Sequence, residues 1–195
     1  MPISQLTANS YGAGTVSGTA LSPTAVRDGL GPGTVLQVVN TYLTAPTSQS
    51  IAGGYTTYTD LTGFSATITP ASVNSKILVF VRWFGEMNPQ TEIYNTMWNL
   101  KRNGTLIGQP AQPGSLTIGI HMAAISYYVN DNDSTPETCF FNYYDSPNST
   151  AAVTYQVSLS CVTGSTLYTN RCVNSATSGG YERGTSSIML MEIAG

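Results

Sequence analysis

The segment ILVFVRWF, residues 77–84, decides the fold of this chain. It is far shorter than the about 20 apolar residues that cross a membrane, and its β-branched and aromatic side chains predict a strand. Alternation along a strand gives one face of Ile77, Val79, Val81 and Trp83, and another of Leu78, Phe80, Arg82 and Phe84. Both faces are apolar apart from Arg82. We therefore expect this strand to be covered twice, either by a second layer of its own chain or by a neighbouring subunit.

The composition predicts a folded chain with a weakly charged surface. Charged residues make up 9% of the 195 residues and hydrophobic residues 41%, whereas an average domain is roughly 25% charged. A formal net charge of −3 provides no basic patch, so we expect no nucleic-acid partner. The N-terminal MPISQLTANS lacks the features of a signal peptide, and no apolar run is long enough for membrane insertion. We expect a protein made in a cytosol.

The three cysteines, Cys139, Cys161 and Cys172, predict buried free thiols. Their number is odd and their spacing is not that of metal ligands. Cysteine in such a setting usually packs as a small hydrophobic residue. We expect no cofactor.

Residues 1–34 predict an extended N-terminal arm, separate from a β domain at residues 35–195. The arm consists mostly of small residues with Gly and Pro, and it lacks the large apolar side chains needed to fold alone. One helical turn is predicted at residues 22–28, with Ser22 as the N-cap and Pro23 at the first helical position. The arm either becomes ordered against a partner or is a frayed terminus without a role.

From Val35 onward the pattern predicts nine or ten short strands and no helix. VTYQVSLSC at residues 153–161 alternates without a fault, and IGIHMAAISYYV at residues 118–129 predicts a long strand. Asn103-Gly104 lies between two strand-like runs and is a strong hairpin signal. Short strands separated by turns predict an antiparallel β-sandwich, and a jelly roll is the natural architecture at this length.

Two parts of the chain resemble a recurrent β domain of bacteriophage virion proteins, the tail-fibre or receptor-binding proteins. The first is TTYTDLTGFSATITPASVNSKILVFV at residues 56–81. The second is FNYYDSPNSTAAVTYQVSLSCVTGSTLYTNR at residues 141–171, followed by GGYERGTSSIMLMEIAG at the C-terminal end. The resemblance implies a homotrimeric jelly roll located in the virion, either at the tip of a fibre or on a capsid. The arm lies outside the matched pattern, and we expect it to contact other virion proteins.

Three functions follow as hypotheses: a trimeric fibre or receptor-binding tip, a head fibre or capsid decoration protein, and a polysaccharide-degrading enzyme. For the first we expect a trimer interface made of Leu78, Phe80, Arg82 and Phe84, with Arg82 near the axis or rim beside a carboxylate or backbone carbonyl. Exposed loops and aromatic side chains are candidates for contact with a host surface glycan. The candidate contact residues are Met87, Asn88, Gln90, Asn130, Asp131, Asp133, Tyr181 and Arg183.

The residues that carry chemistry do not predict an enzyme. Glu86 and Glu92 flank one predicted loop, but nothing marks them as the acid and base of a glycosidase. His121 lies in a predicted strand, and no nucleophile elbow accompanies it. Asp131 and Asp133 are spaced as calcium ligands are, yet their loop lacks the Gly and distal Glu of an EF-hand, so a solvated loop is favoured.

Two further acidic residues have structural interpretations. Asp145 begins the turn Asp-Ser-Pro-Asn, where its side chain is expected to bond the local backbone. Glu192 lies in an apolar strand near the end of the chain. It is expected either to pair with Arg82 or Arg171, because a buried charge needs a partner, or to lie in water at an edge.

Overall fold

The computed structural model describes residues 31–123, 134–174, 176–177 and 179–195. Within these ranges the chain is an antiparallel β-sandwich, which confirms the predicted fold class. A 3₁₀ helix at Gln90–Asn95 lies where the pattern predicted a loop. The strands are β1 (Val35–Leu43), β2 (Thr47–Ile51), β3 (Thr59–Ile68), β4 (Lys76–Asn88), β5 (Thr96–Arg102), β6 (Thr105–Ile107), β7 (Glu137–Asp145), β8 (Val153–Cys161), β9 (Ser165–Thr169) and β10 (Ser186–Ile193).

The strands form a larger sheet of six strands and a smaller sheet of four. In the larger sheet the hydrogen-bonded order is β1-β10-β4-β9-β2. Along one edge of β4, β10 pairs with residues 76–82 and β9 with residues 85–88, and β7 pairs with residues 77–85 along the opposite edge. The smaller sheet has the order β3-β8-β5-β6. The pairs β1 with β10, β3 with β8, β4 with β7 and β5 with β6 are nested along the chain.

The core lies between the two sheets. Its centre is the contact of Trp83 in β4 with Trp98 in β5, whose ring centroids are 5.0 Å apart. The indole nitrogen of Trp83 donates to the hydroxyl of Thr169 at 3.0 Å. The face of β4 formed by Ile77, Val79, Val81 and Trp83 is fully buried, and one phase of β8 is buried with it (Val153, Tyr155, Val157, Leu159 and Cys161). Burial of each large side chain contributes roughly 1.5–3 kcal/mol, so this apolar layer is the main source of stability.

Asp145 joins the two sheets. The local-turn interpretation of this residue is wrong, because its carboxylate is buried and accepts bonds from Arg102 Nη1 at 2.9 and 3.0 Å. The Tyr155 hydroxyl donates to the same carboxylate at 2.6 Å. Burial, followed by the bond to Asp145, raises the pKa of Tyr155 above its usual range. A residue of β7 is thereby tied to β5 and β8 of the smaller sheet.

Glu192 is also buried, and its predicted partners are wrong. Its carboxylate accepts bonds from Gln37 Nε2 and from the backbone N–H of Ala71, both at 2.6 Å. Neither Arg82 nor Arg171 pairs with it, and it does not lie in water. Two strong donors satisfy the buried charge and hold the turn after β3 against β10.

Two local predictions had opposite outcomes. The Asn103-Gly104 hairpin is confirmed: it joins β5 to β6 with φ values of 49° and 83° at the two turn residues. The long strand predicted at residues 118–129 is wrong for its described part, residues 118–123, which makes one isolated bridge between Trp98 and His121. Gly119 passes so close to β5 that a Cβ atom there would come within 2.7 Å of the Trp98 carbonyl oxygen.

All three cysteines are buried and free, as predicted. Desolvation raises the pKa of Cys172 to about 11 and also raises those of Cys139 and Cys161. Among the described residues, no helix is long and apolar enough to span a membrane.

Most of the predicted arm, residues 1–30, lies outside the described residues. Just before β1, Gly33 donates to the carbonyl of Ala194, and Ala194 donates to that of Thr34, both at 2.8 Å. The domain boundary between residues 34 and 35 stays a prediction.

Candidate functional site

The side of the larger sheet that faces away from the core, here called the outer face, is apolar across four neighbouring strands. Strand register places its side chains in rows that run across β1, β10, β4 and β7. The first row is Val38, Met191, Leu78 and Tyr144, the second is Asn40, Met189, Phe80 and Asn142, and the third is Tyr42, Ser187, Arg82 and Phe140.

Large side chains of this face are accessible to solvent. Phe140 is 59% exposed, Tyr144 and Tyr42 are each 56% exposed, and Val38 is 52% exposed. Leu78, Phe80, Met189 and Met191 are half-buried among them. Of the two coverings predicted for residues 77–84, the described chain supplies the one over the inner face and leaves the outer face largely open.

A groove of about 440 Å³ lies at one end of the outer face, beyond the third row. Its accessible walls come from β4, β7 and the loop before β10, and comprise Arg82, Phe84, Thr138, Phe140, Gly184 and Thr185. Gly184 lies flat on the Phe84 ring, where a Cβ atom would come within 2.4 Å of ring carbons. Glycine at this position therefore keeps the loop close to the sheet and shapes the groove.

Arg82 is the cation of the groove, and its side chain is exposed. Its Nη2 donates to Thr185 Oγ1 at 3.0 Å and to the Tyr42 hydroxyl at 3.4 Å. The guanidinium carbon lies 5.9 Å from the centroid of the Tyr42 ring. The hydrogen bonds with Thr185 and then Arg82 lower the pKa of Tyr42. Hydroxyl groups thus hold Arg82 within the chain, and no described carboxylate of the same chain forms an ion pair with it. The carboxylate or carbonyl partner expected for it in the trimer stays a prediction.

The structure describes five of the eight predicted receptor-contact residues. Asn88 and Arg183 are exposed and Tyr181 is half-buried. Met87 is fully buried, with the Thr96 hydroxyl 3.4 Å from its sulfur, because β4 continues through Asn88 and pairs there with β9. Its assignment to a contact loop is therefore wrong. Gln90 begins the 3₁₀ helix, while Asn130, Asp131 and Asp133, with their calcium alternative, lie outside the described residues.

The two candidate catalytic carboxylates both bind backbone. Glu86 lies in β4, fully buried, and accepts from the N–H groups of Val173 at 2.7 Å and Thr135 at 3.2 Å. Glu92 accepts from the Thr163 N–H at 3.2 Å. These bonds give both residues a structural role in holding loops. The described part of the chain contains no group of three or more His, Cys, Asp or Glu side chains that could hold a metal ion.

Sequence reasoning missed half of the outer face. It selected Leu78, Phe80, Arg82 and Phe84 from β4 but none of the exposed residues of the neighbouring strands. The signal was present in FFNYY at residues 140–144, where one phase of the alternation is as apolar as the other. What the sequence lacks is the register that places Phe140 and Tyr144 beside β4.

No protein-family model matches this chain, and no curated protein matches it either.

Proposed function

We propose that this chain is the jelly-roll subunit of a homotrimeric bacteriophage virion protein, a fibre or receptor-binding tip that attaches the particle to its host. The observation that carries the proposal is the open apolar outer face. The nested strand pairing supports the jelly-roll architecture. The resemblance of residues 56–81 and 141–171 to phage fibre domains is the reason for proposing a location in the virion and an assembly of three subunits.

Energetics favour covering the outer face with another copy of the chain. A contiguous apolar patch beyond a few hundred Å² is unusual on a monomer. Full burial of one large apolar side chain contributes roughly 1.5–3 kcal/mol, and the first two rows offer several that are already half-buried. Closed rotational symmetry covers the same patch on every subunit and prevents open-ended stacking.

We place the neighbouring subunit on the rows that contain Leu78 and Phe80. These rows are apolar except for Asn40 and Asn142 at their ends. Arg82 and Phe84 then lie at the rim of the interface, where the exposed guanidinium keeps contact with water. A fully buried guanidinium without a carboxylate would cost several kcal/mol, which is the physical reason for the rim position.

Light scattering of the full chain at micromolar concentration tests the assembly. We expect three times the chain mass of 20.6 kDa. Thermal melting of the same sample establishes that the chain is folded. A folded monomer would refute the trimer and leave the outer face to another partner.

Antibody labelling of purified virus particles tests the virion setting separately. We expect gold-labelled antibody at fibre tips. Deletion of residues 1–33 is expected to leave a folded domain that no longer joins the particle, because the attachment contacts are assigned to the arm. Label on the capsid shell would favour the decoration protein instead.

A further inference from the structure

We infer that the groove around Arg82 binds a sugar that carries a carboxylate, such as a uronic or sialic acid. The inference deepens the proposed attachment role, and it depends on that role only for the surface that presents the sugar. Of the residues predicted for receptor contact, none that the structure describes lines this groove.

The charge of the groove selects an anion. Both hydrogen bonds of Arg82 within the described chain are made by Nη2. A guanidinium has five N–H donors in a fixed plane, so the Nη1 and Nε donors, which lie on different edges, keep their capacity. A carboxylate accepts a charge-assisted hydrogen bond from either of these donors. Thr185 and Tyr42 hold the guanidinium in place beforehand, which reduces the entropy lost on binding.

The aromatic side chains in and beside the groove favour a ligand that has a flat apolar face, such as a sugar ring. Phe140 is opposite Arg82 on the neighbouring strand, and Tyr42 lies in the same row on the far side of β10. Three strand spacings separate β1 from β7, which is roughly 14 Å. The apolar face of a pyranose stacks on exposed aromatic rings of this kind. The Phe140 ring in the groove and the Tyr42 ring beside Arg82 therefore suit one or two sugar residues.

The remaining lining supplies polar contacts and room. Thr138 and Thr185 bring hydroxyl groups to the groove, and such groups exchange hydrogen bonds with sugar hydroxyls. The volume of about 440 Å³ lies within the range of small-molecule sites. An acidic peptide would satisfy Arg82 but would leave the rings of Phe140 and Tyr42 without a flat partner, so we assign the groove to a saccharide.

Saturation-transfer NMR with the full chain tests the assignment. The probes are the methyl glycosides of glucuronic acid, galacturonic acid and N-acetylneuraminic acid, with methyl glucoside and methyl galactoside as neutral counterparts. We expect at least one acidic sugar to bind and both neutral sugars to bind at least about tenfold more weakly. Binding of a glutamate-containing peptide as tight as that of the sugars would overturn the assignment.

Matched variants locate the site. Arg82→Gln is expected to weaken binding of the acidic sugar about tenfold or more, and Phe140→Ala to weaken it severalfold. Lys76→Gln is the control, because it removes the same charge from the same strand roughly 20 Å away. Equal losses in Arg82→Gln and Lys76→Gln, or an unchanged affinity in Arg82→Gln, would refute the groove. A monomer that binds the sugar refutes the trimer alone, and a trimer that binds none of the probes refutes the groove alone.

Discussion

The outer faces of the two sheets differ in the way they satisfy their side chains. On the smaller sheet, the hydroxyls of Thr67 and Thr154 bond each other at 2.8 Å, and Lys101 forms an ion pair with Asp60 at 2.5 Å. Gln156 donates to the carbonyls of Leu61 and Phe64 at 2.8 and 3.2 Å. We call this side the polar face. The outer face of the larger sheet instead presents rows of aromatic, aliphatic and thioether side chains.

This difference shows that the apolar outer face is not a by-product of a weakly charged composition. The same chain builds a polar face largely from hydroxyl and amide groups, and several of these groups form hydrogen bonds within the chain. Within the described residues the apolar outer face is left open, and apolar side chains gain free energy only when water is removed from them. We therefore propose that a partner covers this face, whereas much of the polar face is satisfied in the single chain.

The largest expected effect is on assembly. Phe80→Asp introduces a charge at the centre of the second row, and burying it would cost several kcal/mol, so we expect the trimer to dissociate at micromolar concentration. Ser65→Asp adds the same charge to the polar face and is expected to keep the trimer mass. Light scattering measures both, and thermal melting confirms folding. A trimer that survives Phe80→Asp would place the interface elsewhere, and dissociation in both variants would remove the distinction between the faces.

A smaller effect than the loss of assembly is expected when a hydrogen bond of the polar face is removed, and it concerns the free energy of unfolding. Gln156→Ala leaves the carbonyls of Leu61 and Phe64 without their donor at the irregularity in β3, and we expect a loss of about 1–3 kcal/mol in the free energy of unfolding. Ser65→Ala, at the paired position of β3, is the control and is expected to change it by less than about 0.5 kcal/mol. Urea unfolding at one fixed protein concentration measures both. Equal stability of the two variants would mean that the amide network contributes nothing.

The sequence predicted those features of the fold that depend on local pattern. Alternation in residues 77–84 and 153–161 predicted strands there, which are parts of β4 and β8, and Asn103-Gly104 predicted its hairpin. Such signals succeed because a strand exposes its two faces with a period of two and a tight turn needs particular backbone angles.

The features that the sequence did not predict depend on distant partners. Glu86 and Met87 belong to β4 because β9, about 80 residues later, extends the pairing of that strand. Glu192 and Asp145 find partners in segments that no local pattern connects to them. The groove combines residues of β4, β7 and the loop before β10, so its existence follows from register and not from any motif.

The titration of Tyr42 tests whether Arg82 keeps its position on the open face. Because bonds with Thr185 and Arg82 favour the phenolate, Tyr42 is expected to deprotonate below the ordinary tyrosine pKa of 10.0. Arg82→Gln removes the charged donor and is expected to raise that pKa. The absorbance of phenolate as a function of pH, with Tyr42→Phe subtracted to isolate this residue, measures the shift. A Tyr42 that titrates at or above 10.0 would contradict the contacts at the groove.

The smallest effect is expected at the one ion pair of the polar face described above. Asp60→Asn removes the carboxylate that faces Lys101, but the Asp60 side chain is 52% exposed, so water and salt screen the attraction. We expect a loss of about 0.2–1 kcal/mol at low salt that disappears near 1 M salt, with no change in mass by light scattering. Urea unfolding at both salt concentrations measures it. If this variant lost more stability than Gln156→Ala, or shifted the mass, the polar face would take part in assembly, and the contrast between the two faces would fail.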